Sequence, residues 1–149
     1  LIFPLEREIN MEKSLVLIKP DAMERGLATV ILSRLEAAGL KLIALRMLHL
    51  DKALAERHYA IHREKPFFKD LVDYIISIPI VAAVFEGEDA VNRIRQLMGA
   101  TDPAKADAGT IRKDFGLDVQ RNATHASDSP ENAVKEINLF FTEDELFNP

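Results

Sequence analysis

The period of apolar positions changes several times along this chain, and each change marks an element. Ser14-Leu15-Val16-Leu17-Ile18 is almost wholly apolar, and Lys19-Pro20-Asp21 ends it. A short continuous apolar run stopped by proline predicts a buried central strand. Leu27, Val30, Ile31, Leu35 and Ala38 then recur at helical spacing, and Gly39 stands where helices commonly close. Residues 40–50 mix apolar and basic side chains and predict a long strand. Asp51 is a good N-cap for a helix over 52–62, and a second helix follows Pro66 over 67–76. Ile80-Val81-Ala82-Ala83-Val84-Phe85 repeats the buried-strand signature, with a turn expected at Glu86-Gly87. Asp89 is expected to cap a helix over 90–98. The stretch 99–119 contains Pro103, Gly109 and Gly116. A loop of that length inside a compact domain is functional or partly helical. Residues 122–126 predict a short strand, and Ser129-Pro130 starts a last helix that reaches about Phe140.

The order groups into two strand–helix–strand halves, 14–50 and 80–126. That is the split pattern of a ferredoxin-like fold: α/β, an α+β sandwich, with a four-stranded antiparallel sheet and helices packed on one face. A flavodoxin-like open sheet is the alternative. A chain of 149 residues suggests one domain, here placed at 11–149. Residues 1–10 are expected to be an expression remnant or an upstream extension, and they lack the apolar core of a signal peptide.

Composition narrows the function classes. With 48% hydrophobic and 29% charged residues, a disordered chain is not expected. The net charge of −5 argues against nucleic acid as the main partner. An anionic small substrate stays open, because a few cations focused in one cleft outweigh the global sign. Without cysteine there is no disulfide or thiol chemistry, and a reducing, cytoplasmic setting is the expectation. No apolar stretch approaches a membrane span, so no membrane partner is expected.

The strongest chemical signal is His125, set in Arg121-Asn122-Ala123-Thr124-His125-Ala126-Ser127-Asp128-Ser129-Pro130, with Glu136 on the helix that follows. A histidine with an orienting carboxylate suits nucleophilic catalysis at phosphorus; a solvated loop histidine is the plain alternative. No glycine-rich phosphate loop is present, so any phosphate must be held by side chains. Lys19 at the end of the first strand, Arg95, Thr101 and Arg112 are candidates, each also readable as a solvated surface group. His58 and His62 are spaced as a possible metal pair, but no third ligand is obvious. Phe67 at a helix start could stack on a base or simply pack.

In order along the chain, the distinctive runs are Leu17-Ile18-Lys19-Pro20-Asp21, Tyr59 with Lys65-Pro66-Phe67-Phe68, and Met98-Gly99-Ala100-Thr101-Asp102-Pro103-Ala104. Gly109-Thr110-Ile111-Arg112-Lys113-Asp114-Phe115 and the His125 run complete the set. Together they resemble the nucleoside diphosphate kinases, from Glu12 to at least Phe141. The resemblance implies a ping-pong transfer of a γ-phosphate to His125 and on to a nucleoside diphosphate, ribo or deoxyribo. It implies that Glu136 orients His125, that Ser127 supports Glu136, and that Lys19 and Tyr59 meet the transferring phosphoryl. Arg95, Thr101 and Arg112 would hold the phosphate chain with bridging Mg²⁺. Asn122 and Lys19 would bind the sugar, and Phe67 and Val119 would sandwich the base with little specificity. No residue is a direct metal ligand; Asp128 supports the metal's water shell or the helix start. Tetramers or hexamers built from dimers are implied. Ala126, Ile78 and Ala108 depart from the family pattern, where Gly, Gly and Pro are usual. A nucleic-acid-binding module and a phosphohistidine relay to another protein are the competing readings.

Overall fold

The computed structural model describes residues 11–147, so the expectation for residues 1–10 lies outside the described residues. Four strands form one antiparallel sheet: β1 (Met11–Ile18), β2 (Lys41–Leu48), β3 (Ile80–Glu88) and β4 (Thr124–Ala126), in the order β2-β3-β1-β4. The ferredoxin-like expectation is met. Seven α-helices surround the sheet: α1 (Pro20–Glu24), α2 (Ala28–Ala37), α3 (Lys52–His58), α4 (Phe68–Ile75), α5 (Ala90–Met98), α6 (Ile111–Phe115) and α7 (Pro130–Phe140).

Helices cover both faces of the sheet, not one. Val16 and Ile18 of β1 join Val81, Ala83 and Phe85 of β3 under Ile31 and Leu35 of α2 and Ile94 of α5. Leu15 and Leu17 join Ala82 and Val84 under Val72 and Ile75 of α4 and Ile137 and Phe140 of α7. Strand alternation sends successive side chains to opposite faces, so a strand covered on both sides must be apolar throughout. That is why the central parts of β1 (15–18) and β3 (80–85) read as unbroken apolar runs, while their outer ends carry charge.

Several boundaries move for local reasons. Asp51 caps α3 by accepting from the Leu54 N–H at 2.8 Å, and Ser129 caps α7 by accepting from Asn132 at 3.1 Å. Asp89 does not cap α5: it sits at φ 52°, and the Val91 N–H donates instead to Glu12 Oε1 of β1 at 3.1 Å. Glu86-Gly87 is no turn, because β3 keeps pairing with β1 as far as Met11 opposite Glu88. The helix expected over 52–62 stops at His58, and a separate 3-10 turn holds Ala60–His62. The loop over 99–119 is partly helical, as expected, and contains α6.

Candidate active site

A cleft of about 780 Å³ collects side chains from six places: the end of β1, α3, the approach to α4, α5, the loop around α6, and β4 with α7. Lys19, Tyr59, Phe67, Arg95, Thr101, Arg112, Val119, Asn122, His125, Asp128 and Glu136 all line it. Ser127 lies beneath, fully buried.

His125 is the middle residue of β4, opposite Leu17. Alternation buries Thr124 and Ala126 and leaves the imidazole 24% exposed to the cleft. Its Nε2 lies 3.0 Å from Glu136 Oε2. Glu136 Oε1 accepts from Ser127 Oγ at 2.6 Å, and that hydroxyl oxygen accepts from the Leu15 N–H at 3.0 Å. The carboxylate is therefore anchored, through Ser127, to the central strand. Burial pushes the Glu136 carboxyl up, but hydrogen bonds from His125 and Ser127 outweigh it and hold the group below its ordinary value. An ionised carboxylate can only accept, so Nε2 carries the ring proton. Nδ1 keeps its lone pair and has no hydrogen-bond partner among the described residues.

Lys19, Arg57, Arg95, Arg112 and Lys135 bring positive charge to the cleft, and Lys19, Arg95 and Arg112 are the ones expected to meet phosphate. Lys19 is 6% exposed and donates to Asn122 Oδ1 at 3.0 Å and to the Gln120 carbonyl at 2.5 Å. Burial pulls its pKa down to about 8; Asp21 opposes this and Arg112 adds to it. Arg112 donates to the Gly99 and Thr124 carbonyls, each at 3.0 Å, while its buried Nε has no partner among the described residues. Burial, then nearby Arg95, lower Arg112 to about 10. Neither Arg95 nor Arg112 forms an ion pair among the described residues. A cleft with unpaired guanidinium capacity is suited to an anion. Gly99 makes this approach possible. At φ 85° it ends α5, and a Cβ there would stand 2.5 Å from Oγ1 of Thr110, the residue that caps α6.

Asn122 binds the cleft wall together, donating to the Thr101 and Val119 carbonyls at 3.0 Å each. Its neighbour Ala123 takes φ 74°, a conformation uncommon outside glycine. Asp21 Oδ2 accepts from the Ala123 N–H at 2.9 Å, and the Tyr74 hydroxyl donates to Asp21 Oδ1 at 2.6 Å. Ala126, where positive φ would have been costly, lies in ordinary strand geometry. Phe67 and Val119 stand at the rim, 45% and 58% exposed. Burial, then Glu136, raises Tyr59 to about 12, so its hydroxyl stays a donor at neutral pH. Asp128 accepts from Asn132 Nδ2 at 2.6 Å at the start of α7.

His58 had no assigned role in the sequence beyond a pairing with His62. The break after α3 takes His62 away, against Tyr59 and Phe67. His58 instead packs edge-on to His125, ring centroids 4.7 Å apart at 84°. Burial, then His125, pushes His58 down to about 3, so it is neutral, and neither of its ring nitrogens has a hydrogen-bond partner among the described residues. The Asp21–Tyr74 clamp was missed as well, since its two residues are 53 positions apart and no local pattern links them.

Phosphoryl transfer asks a protein for an aimed nucleophile and fixed positive charge more than for covalent machinery. This cleft can offer both, beside an apolar rim, and that places the protein among the histidine-centred nucleotide phosphotransferases. The family model for nucleoside diphosphate kinase matches residues 12–146. The nucleoside diphosphate kinase of Dehalococcoides mccartyi is 61% identical over 93% of this chain and 97% of its own length. That of Archaeoglobus fulgidus is 56% identical, covering 93% and 91%. Among solved structures, the Aquifex aeolicus nucleoside diphosphate kinase superposes with a TM-score of 0.89 at 45% identity, over 91% of this chain and 99% of that one. A halophilic nucleoside diphosphate kinase from Halobacterium salinarum, in complex with CDP, gives 0.89 at 46% identity, over 93% and 92%. The chain belongs to the nucleoside diphosphate kinase family.

Proposed function

We propose that residues 11–149 act as one unit in which His125 Nδ1 carries the phosphate between nucleotides. The observation that carries this is the 3.0 Å contact between Nε2 and Glu136, which leaves Nδ1 as the free lone pair. Nδ1 attacks the γ-phosphorus of a nucleoside triphosphate, the bond to the β–γ bridging oxygen breaks, and the diphosphate leaves with that electron pair. The ring gains positive charge, and Glu136 stabilises it across the Nε2–H bond. In the second half, a β-phosphate oxygen of an acceptor diphosphate attacks the same phosphorus and the N–P bond breaks. Lys19, Arg95, Arg112 and Thr101 hold the phosphate chain, and Tyr59 donates toward the transferring group. Asn122 and Lys19 meet the sugar hydroxyls. Phe67 and Val119 enclose the base by its faces, so ribo- and deoxyribonucleotides of any base are accepted.

The cleft fits Mg²⁺ held by the nucleotide. Its cations and the Arg112 Nε, unpartnered among the described residues, call for phosphate oxygens, while the Glu136 carboxylate is engaged and Asp128, like Asp70 on the cleft wall, could bind the ion's waters. Bound there, Mg²⁺ would neutralise phosphate charge. A homo-oligomer, tetramer or hexamer from dimers, belongs to the same reading; it is supported by Leu45 and Met47, 52% and 65% exposed on the edge strand β2. Among the described residues no helix is long and apolar enough to cross a membrane, and we place the enzyme in the cytoplasm.

Intact mass after brief incubation with ATP and Mg²⁺, then with GDP, tests the assignment. One phosphate gained and then passed to GDP, with none gained by His125→Ala, is the expected result. Phosphate on a residue other than His125, or a folded wild type that takes none, overturns it.

A further inference from the structure

We propose that His58 together with the His125–Glu136 pair forms a binding site for a borderline divalent transition metal, Zn²⁺ by its chemistry, and that metal bound there silences the nucleophile. The inhibitory part rests on the reading that His125 Nδ1 takes the phosphate. One ligand atom from each of the three residues lies within 4.8 Å of the others, and His125 Nε2 is already 3.0 Å from Glu136 Oε2. Zinc holds nitrogen and oxygen ligands at ~2.0–2.2 Å, so tetrahedral ligands stand ~3.4 Å apart and the widest gap must close by ~1.4 Å. His125, 24% exposed to the cleft, is the member with room to make most of that adjustment, since His58 is packed and Glu136 is anchored.

The second observation is His58 itself. It is 8% exposed and both of its ring nitrogens lack partners among the described residues. A buried neutral imidazole with an unused lone pair needs an explanation, and a metal supplies one. Two imidazoles and a carboxylate form the donor set of open zinc sites. Mg²⁺ prefers oxygen ligands and would not compete. Ser127, bonded to Glu136 Oε1, holds the carboxylate from behind, as outer-shell partners of metal ligands do.

The inhibition follows from proton arithmetic. A neutral imidazole has one proton and one ring lone pair. Zinc takes the lone pair at Nε2, so the proton leaves the Glu136 hydrogen bond and returns, through solvent, at Nδ1. No net proton is released and Glu136 stays ionised. Nδ1–H then has no lone pair to offer phosphorus, although the phosphate subsite stays open.

The test uses the full chain in excess Mg²⁺. Zinc is titrated against a chromophoric chelator, and phosphorylation by ATP is followed by intact mass, each variant scaled to its own zinc-free rate. Expected are about one zinc per chain and, in His58→Phe, affinity weaker by at least roughly 100-fold, the upper end of what loss of a mere outer-shell partner costs, with the inhibitory zinc concentration raised to match. His58→Asn serves if His58→Phe does not fold by circular dichroism. Histidine-ring ¹⁵N NMR should show the Nδ1–H form of His125 at zinc saturation. Equal zinc affinity in wild type and variants, or an Nε2–H form that persists at saturation, overturns the proposal. Zinc binding that depends on His58, in a chain that takes no phosphate from ATP in zinc-free buffer, supports the metal site and refutes the kinase assignment alone.

Discussion

Replacing Lys19 by methionine keeps most of the side chain's bulk and removes its charge. The folded protein holds the Lys19 proton with a pKa of about 8, against 10.5 for a free lysine, chiefly because the ammonium is buried. At about 1.36 kcal/mol per pKa unit, keeping that charge buried costs on the order of 3 kcal/mol at pH 7. Between the folded and free pKa values the unfolded chain binds more protons, so this cost falls as pH rises through 8 and is gone above 10.5. Methionine also strands the Gln120 carbonyl and Asn122 Oδ1, a loss that does not vary with pH over this range. The informative quantity is therefore a slope. Urea unfolding of wild type and Lys19→Met at fixed protein concentration, from pH 7 to pH 10, gives the stability difference. Wild type should gain on the variant by up to about 3 kcal/mol across that window. A difference that stays flat would refute the claim that the ammonium is held at a cost. The same cost should be offset when phosphate enters, so nucleotide binding above pH 8 should take up a proton in wild type and not in Lys19→Met.

Glu136→Gln should lower kcat by roughly 10²–10⁴-fold with little change in KM, because the amide no longer fixes the Nε2–H form; a change confined to KM would count against the orienting role. Gly99→Ala should destabilise by about 1–3 kcal/mol, since the new Cβ meets Thr110 at 2.5 Å at a φ of 85°; an unchanged Tm would show that the α5–α6 contact yields freely. Phe67→Ala should weaken nucleotide binding by roughly 1–3 kcal/mol, equally for purines and pyrimidines, and calorimetry showing loss for one base alone would contradict a face-only contact.

What the sequence makes legible here is what neighbouring residues decide. β1 and β3 announce themselves because, over 15–18 and 80–85, burial on both faces leaves no polar position to break the run. Asp51 and Ser129 are readable as caps because each acts within three residues of itself. Asp89 has the same local look and fails, because Glu12 from a different strand reaches the α5 backbone first. His125 and Glu136 stand out through their motif, and the distance between them needs only a strand end and about two turns of the helix that follows. His58 does not, because its contact with His125 spans the whole second half of the fold. Ala123 is hidden for another reason: alanine gives no warning of positive φ, and the Asp21 carboxylate that holds it lies 102 residues earlier.

The topology also fixes when the site can exist. The proposed nucleophile rides on a strand whose only sheet neighbour among the described residues is β1, with Leu17 facing His125 across most of the chain. On a ribosome adding about 5–20 residues per second, the free edge of β1 waits on the order of 5–20 s for its partner. During that interval Val16, Leu17 and Ile18 present an unpaired apolar edge, the kind of surface that invites another chain. Synthesis must run past β4 before His125 meets Glu136, and a chain released before that point is an aggregation hazard with no active site at all.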